Sequence, residues 1–143
     1  MKYKLLNDEK EKTYAVILES GEEAKEQLLA FAKEKKLAAS QFTAIGAFSE
    51  TTVGFFDFSI KDYKKTHFNQ QMEVLSVTGD ITLFKGEYKI HAHIVLAKED
   101  GTAHGGHLMK GIVHPTLEII LNESPVYLQR EMDEKIGIPL IKI

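Results

Sequence analysis

One helical segment near the N-terminus, followed by strand-like sequence, constrains this chain more than any other feature. Ser20-Gly-Glu-Glu23 has the spacing of a capping box, in which a Ser side chain accepts from an orphan backbone amide and the Glu three residues on reaches back. The reading therefore starts a helix at Ser20. Ala24, Leu28, Phe31 and Ala32 recur at helical spacing and form its buried stripe. Lys33, Lys35 and Lys36 lie at its end, where positive charge complements the helix dipole. Before it, Tyr14-Ala-Val-Ile-Leu18 reads as a short buried strand.

After residue 40 the texture becomes β-like. Gln41 to Phe48, Thr51 to Phe58 and Met72 to Val77 are rich in aromatic and β-branched residues. Asp80 to Phe84 and Tyr88 to Ala97 flank Lys85-Gly86-Glu87, which reads as a hairpin turn. Gly111 to Val113, Leu117 to Leu121 and Val126 to Glu131 follow, with Pro115 breaking the first two or lying on an edge. The expected fold class is α+β: a largely antiparallel sheet packed with one main N-terminal helix. The 143 residues suit a single domain, and neither a repeat nor a linker divides residues 1–143.

His91-Ala-His93 falls in the most strand-like part of the chain. Residues two apart on a strand share a face, so both imidazoles project together while Ile90, Ala92 and Ile94 face the other way. Downstream runs Gly101-Thr-Ala-His-Gly-Gly-His107-Leu, whose paired glycines allow a tight bend or a close backbone approach. If residues 98–102 form a turn, the chain returns beside the histidine strand and His107 closes a three-imidazole set. Three His ligands leave a fourth position open for water, as in catalytic zinc sites. His104 is a substitute ligand three residues earlier. The plainer reading of His91 and His93 is polar strand surface and of His107 a hydrogen bond to a strand end, and His67 and His114 read as surface or core-edge histidines.

Composition narrows the alternatives. There is no cysteine, so a metal must be held by His, Asp, Glu or backbone oxygen, and the expected compartment is the cytoplasm. No apolar run is long enough to cross a bilayer, and the polar stretch from Met1 to Lys12 does not read as a secretory signal. The formal charge is −3, and Arg130 is the one arginine, which argues against strong nucleic-acid binding. Glu73 and Asp57 are weak candidates for a catalytic acid or base, against a solvent-facing or Lys-paired alternative. Phe55-Phe56-Asp57-Phe58 could stack bases, but the favoured expectation is core packing for most of it. No dinucleotide fingerprint, phosphate-binding P-loop, nucleophile elbow or EF-hand loop is present.

Five segments, taken in order, resemble the plants and prokaryotes conserved (PPC) domain. They are Ala44-Ile-Gly-Ala-Phe48, Val53-Gly-Phe-Phe-Asp57, Met72-Glu-Val-Leu-Ser-Val-Thr-Gly79, His91-Ala-His93 and Gly105-Gly-His-Leu108. The resemblance covers roughly residues 10–135. It implies an antiparallel sheet with helix packing, assembly as a homotrimer, and zinc on His91, His93 and His107 as in prokaryotic members. Plant members join the domain to an AT-hook that enters the DNA minor groove, so the resemblance also carries a DNA-associated, regulatory expectation. Two departures weaken that last point. A Gly-Arg-Pro hook core is absent, and where plant members read Gly-Arg-Phe-Glu-Ile-Leu this chain has Gln70-Gln-Met-Glu-Val-Leu75. The leading expectation is a stand-alone prokaryotic, trimeric, zinc-binding PPC protein. The alternatives are a small metal-dependent hydrolase or lyase with an open site, and a structural assembly module that binds no metal.

Overall fold

The computed structural model describes residues 1–8, 11–125 and 128–142. Nine strands and one helix follow the order β1 (Lys2–Asp8), β2 (Lys12–Glu19), α1 (Ala24–Lys35), β3 (Ala39–Asp57), β4 (Asp62–Phe68), β5 (Met72–Phe84), β6 (Glu87–Ala97), β7 (Ala103–Glu123), β8 (Gln129–Asp133) and β9 (Ile138–Lys142). All pairings are antiparallel except β5 with β8. The pairs β3–β5, β5–β6, β6–β7 and β7–β3 close four strands into a ring, whose remaining neighbours are β2 on β7, β4 on β3 and β8 on β5.

Several predicted strands prove to be halves of longer ones. Residues 41–48 and 51–57 of the two expected segments belong to the nineteen-residue β3, which ends one residue short of Phe58, and residues 111–113 and 117–121 to the twenty-one-residue β7. Pro115 does not break β7; the strand runs through a cis His114–Pro115 peptide. The strand expected from Val126 begins, as far as it is described, at Gln129, and residues 126 and 127 lie outside the described residues. Strands β1, β4 and β9 were not expected; β1 and β4 are short and each carry two lysines without a long apolar run, and β9 is a five-residue stretch interrupted by Pro139.

The helix starts three residues later than the capping box implies, with its cap at Glu23 rather than Ser20. Gly21 takes φ +89° in a turn, and the backbone of residues 21–23 then pairs with β7: Gly21 N–H donates to the Val113 carbonyl at 2.9 Å, and Val113 N–H to the Glu22 carbonyl at 3.0 Å. This backbone pairing outcompetes an early helical turn, because it satisfies amides that the turn would leave open. Glu23 is the actual N-cap and accepts from the Glu26 amide at 2.8 Å. The predicted stripe of Ala24, Leu28, Phe31 and Ala32 is buried as expected. It packs with Tyr14, Val16 and Leu18 of β2, Phe42 and Phe48 of β3, and Leu117, Ile119 and Leu121 of β7.

Candidate metal centre

Strand β6 alternates strictly where it matters. Ala92, Ile94 and Leu96 are buried, and His91, His93 and Val95 are exposed. Each fully buried Ile or Leu contributes about 1.5–3 kcal/mol, so the inner side chains fix the backbone that carries the outer ones. Strand β7 returns through residues 98–102 as expected, and its register places His107 directly opposite His93. Directly opposed residues of an antiparallel pair share a face. The three imidazoles therefore meet. Ring centroids are 4.2 Å apart for His93 and His107, 5.0 Å for His91 and His93, and 5.2 Å for His91 and His107. One nitrogen from each ring lies within 4.8 Å of the other two, and no carboxylate joins the group among the described residues.

The glycines before His107 act by close approach rather than by a bend, since neither takes a positive φ. A Cβ on Gly106 would stand 2.7 Å from the Gly54 carbonyl oxygen of β3, and one on Gly105 would stand 2.8 Å from that of Ile94. Strand β7 thus threads between β3 and β6 with no room for a side chain ahead of His107. Tyr63 of β4 closes the other flank of His107, edge-on at 4.9 Å.

Burial, followed by the nearby His93, His91 and Lys25, pushes the pKa of His107 down to about 4. Burial also lowers that of His91; the Arg130, His93 and Lys25 charges add to the effect, and Asp80 opposes it. These two rings are neutral at pH 7, the state in which imidazole offers a lone pair to a metal. The donor set fits a tetrahedral cation. Ligands at a zinc–nitrogen distance near 2.05 Å stand about 3.3 Å apart, and His91 Nε2 and His93 Nε2 are 3.2 Å apart.

The other residues singled out from sequence lie elsewhere. Asp57 ends β3, and its carboxylate, held below the usual range by Lys64 and Ser59, accepts from both. Glu73 is exposed on β5 opposite Ala97, four residues along β6 from His93, beside a groove lined by Gln70, Gln71, Lys98 and Asp100. His104 pairs with Leu96, packs on Phe68 at 5.0 Å, and keeps a buried, unpartnered Nε2. His67 meets the Thr52 hydroxyl at 2.8 Å and His114 the Ser20 hydroxyl at 3.2 Å. The aromatic cluster departs from the core-packing expectation. Only Phe56 is buried, while Phe55 and Phe58 are 69% and 70% exposed, because the strand alternates at 55 and ends before 58.

Asp80 escaped the sequence reading although a signal was present. The β5–β6 loop consists of Lys85 and Gly86, both with positive φ, so Phe84 opposes Glu87 and Asp80 opposes His91. Counting back from the turn would have found it.

The profile of the Plants and Prokaryotes Conserved (PCC) domain matches residues 6–125. Three solved structures superpose over nearly the whole chain. A candidate DNA-binding protein from Bacteroides thetaiotaomicron is 26% identical with a TM-score of 0.88, covering 98% of this chain and 96% of its own. A metal-containing protein from Archaeoglobus fulgidus is 26% identical with a TM-score of 0.85, covering 99% and 97%. A plant- and prokaryote-conserved protein from Pyrococcus horikoshii is 27% identical with a TM-score of 0.83, covering 97% and 94%. Among curated relatives, the bifunctional protein GlmU of Synechococcus sp. (strain JA-3-3Ab) is 29% identical over 129 residues. That match takes in 88% of this chain, which spans only about a fifth of that protein's length. With a family profile covering most of its length and a shared architecture, the chain belongs to the Plants and Prokaryotes Conserved domain family.

Proposed function

We propose that this protein is a self-assembling, zinc-binding member of its family, with the ion held by His91, His93 and His107. The observation that carries the reading is the convergence of three imidazoles on one face of a rigid sheet, two of them held neutral by burial and their neighbours. A structurally similar protein from Archaeoglobus fulgidus is described as metal-containing, which supports the same reading here. Zinc bound there would leave a position for water and would lower the pKa of that water toward neutrality. The protein's part is to hold three imidazole donors at fixed spacing, with Tyr63 against His107 and the core behind β6.

Chelator-stripped protein made without a His tag should take up one zinc per chain, measured by plasma emission. His93→Ala should abolish uptake while leaving the circular dichroism spectrum unchanged, because His93 is exposed and sits between the other two rings. Full occupancy in that variant would overturn the assignment, and no uptake by the unaltered chain would leave the assembly-module alternative.

A hydrolase or lyase reading uses the same open position. Among the described residues no carboxylate lies within the ligand group, and Asp57 is already engaged by Lys64 and Ser59. The DNA-associated reading rests on relatives described as candidate DNA-binding proteins. On this chain the one arginine is buried and bonded to Asp80, so no guanidinium is left for bidentate contact with phosphate or guanine, and lysines would supply the positive side chains. Self-assembly, with a trimer as the expected state, is supported by exposed Ile45, Leu75, Val95 and Ile120 on outward-facing strand positions.

A further inference from the structure

Asp80 is the one carboxylate within 4 Å of the three rings among the described residues: its Oδ2 lies 3.8 Å from His91 Nδ1. Arg130 fixes it. The Nη2 of Arg130 donates to both oxygens, at 2.7 and 2.9 Å. Its Nε donates to the Thr82 hydroxyl at 2.8 Å and its Nη1 to the Pro139 carbonyl at 3.0 Å. Every nitrogen of the guanidinium is thus engaged, and the side chain is 7% exposed. One nitrogen reaches both carboxylate oxygens while the other two anchor the guanidinium on Thr82 and Pro139, so the carboxylate is held by a donor that is itself fixed in place.

The ring of His91 is directed from both ends. Its Nε2 faces His93 Nε2 at 3.2 Å, inside the cluster, and its Nδ1 faces Asp80. An imidazole that binds a metal through one nitrogen needs an acceptor for the N–H on the other, and that acceptor sets both tautomer and orientation. We infer that Asp80, clamped by Arg130, is the positioning residue of the three-histidine site: its negative charge, 3.8 Å from His91 Nδ1, favours the proton on that nitrogen and so presents the Nε2 lone pair to the ion. The metal half of this inference rests on the zinc reading above; the tautomer half does not. It also makes the β8–β9 hairpin part of the site, since Arg130 lies on β8 and Pro139 on β9.

An ion pair that merely pins the hairpin to β5 would behave differently. Its loss would lower thermal stability and leave the His91 tautomer and zinc affinity alone. The experiment compares the full chain with Asp80→Asn and Thr82→Val. Thr82→Val removes one Arg130 contact but leaves the carboxylate in place. Long-range nitrogen–proton NMR on metal-free protein reads the tautomer, and competition with a chromophoric chelator reads zinc affinity. The unaltered chain should show His91 as Nδ1–H. Asp80→Asn should mix the tautomers and weaken zinc by roughly 10–100-fold, whereas Thr82→Val should keep both even where its Tm falls. Unchanged tautomer and affinity in Asp80→Asn, or equal zinc loss in Thr82→Val, would overturn the proposal. An Nε2–H tautomer at His91 in the unaltered chain would do so without any variant. Failure of the unaltered chain to bind zinc would instead overturn the underlying metal reading, and the tautomer would still decide the role of Asp80.

Discussion

Burial, with His93, His91 and Lys25 close by, makes His107 resist protonation until about pH 4, and that has a consequence for acid stability. An imidazole in the unfolded chain titrates near 6.5. The folded value is lower, so the unfolded state takes up the proton first as pH falls. The contribution of His107 is therefore fully present above about pH 6.5 and is lost progressively as the pH drops toward 4. His91 is shifted in the same direction and adds to the trend. In metal-free protein, ring-proton NMR should show His107 still neutral at pH 5.5. Replacing His93 with Ala should raise its midpoint toward 6.5 without reaching it, because burial is the larger cause. A midpoint near 6.5 in the unaltered chain would remove the electrostatic account of why the site stands ready for a cation at neutral pH.

Two hairpins assemble the site, and how much of each was legible in the sequence depended on its turn. The period-two pattern around His91 and His93 gave their shared face directly, because Ala92 and Ile94 are short-range markers of the inner side. His107 followed from supposing a turn at 98–102. Asp80 lay one register count away and was passed over. Arg130 was not legible at all, since it reaches Asp80 through a parallel β5–β8 contact between segments far apart in sequence. The start of α1 misled for a related reason: Ser20 has a local capping signal, but a non-local pairing of residues 21–23 with β7 prevails. The Gly105-Gly106 pair suggested either a bend or a close approach, and only the strand packing distinguishes them. That packing makes Gly106→Ala informative. Its Cβ would meet a backbone oxygen on β3, which cannot move without breaking the β3–β7 ladder. The variant should be destabilised by about 1–3 kcal/mol in urea unfolding. It should also lose most of its zinc, because the neighbouring His107 shifts. A variant that loses stability but keeps full zinc stoichiometry would show that the register of His107 tolerates the displacement.

At the scale of the molecule, one outward surface carries both the histidines and the unpaired apolar side chains. Following the register across the sheet, Ile120 of β7 opposes Thr43 of β3, Thr43 opposes Thr78 of β5, and Thr78 opposes His93 of β6. Ile120 therefore stands in the same row, on the same face, as the centre of the three-imidazole cluster. Val95 lies two residues from His93 along β6, again on that face, and Ile45 two residues from Thr43 along β3. Exposures of 47% for Ile120, 43% for Val95 and 60% for Ile45 leave an apolar strip that a solitary chain would hold against water. A second copy of the chain would cover such a strip at the cost of fixing rigid sheets rather than flexible loops, which would keep the entropic penalty of association low. The expected species sediments at three times the 16.1 kDa chain mass. An Ile120→Asp variant would bury a carboxylate without a partner, costing roughly 3 kcal/mol and so weakening association about a hundredfold. It should sediment at the mass of one chain with an unaltered circular dichroism spectrum. A monomeric unaltered chain would leave the strip without this occupant. A monomeric variant that still binds zinc would show that each protomer completes its own three-histidine site, and one that loses zinc would place part of the coordination across the interface.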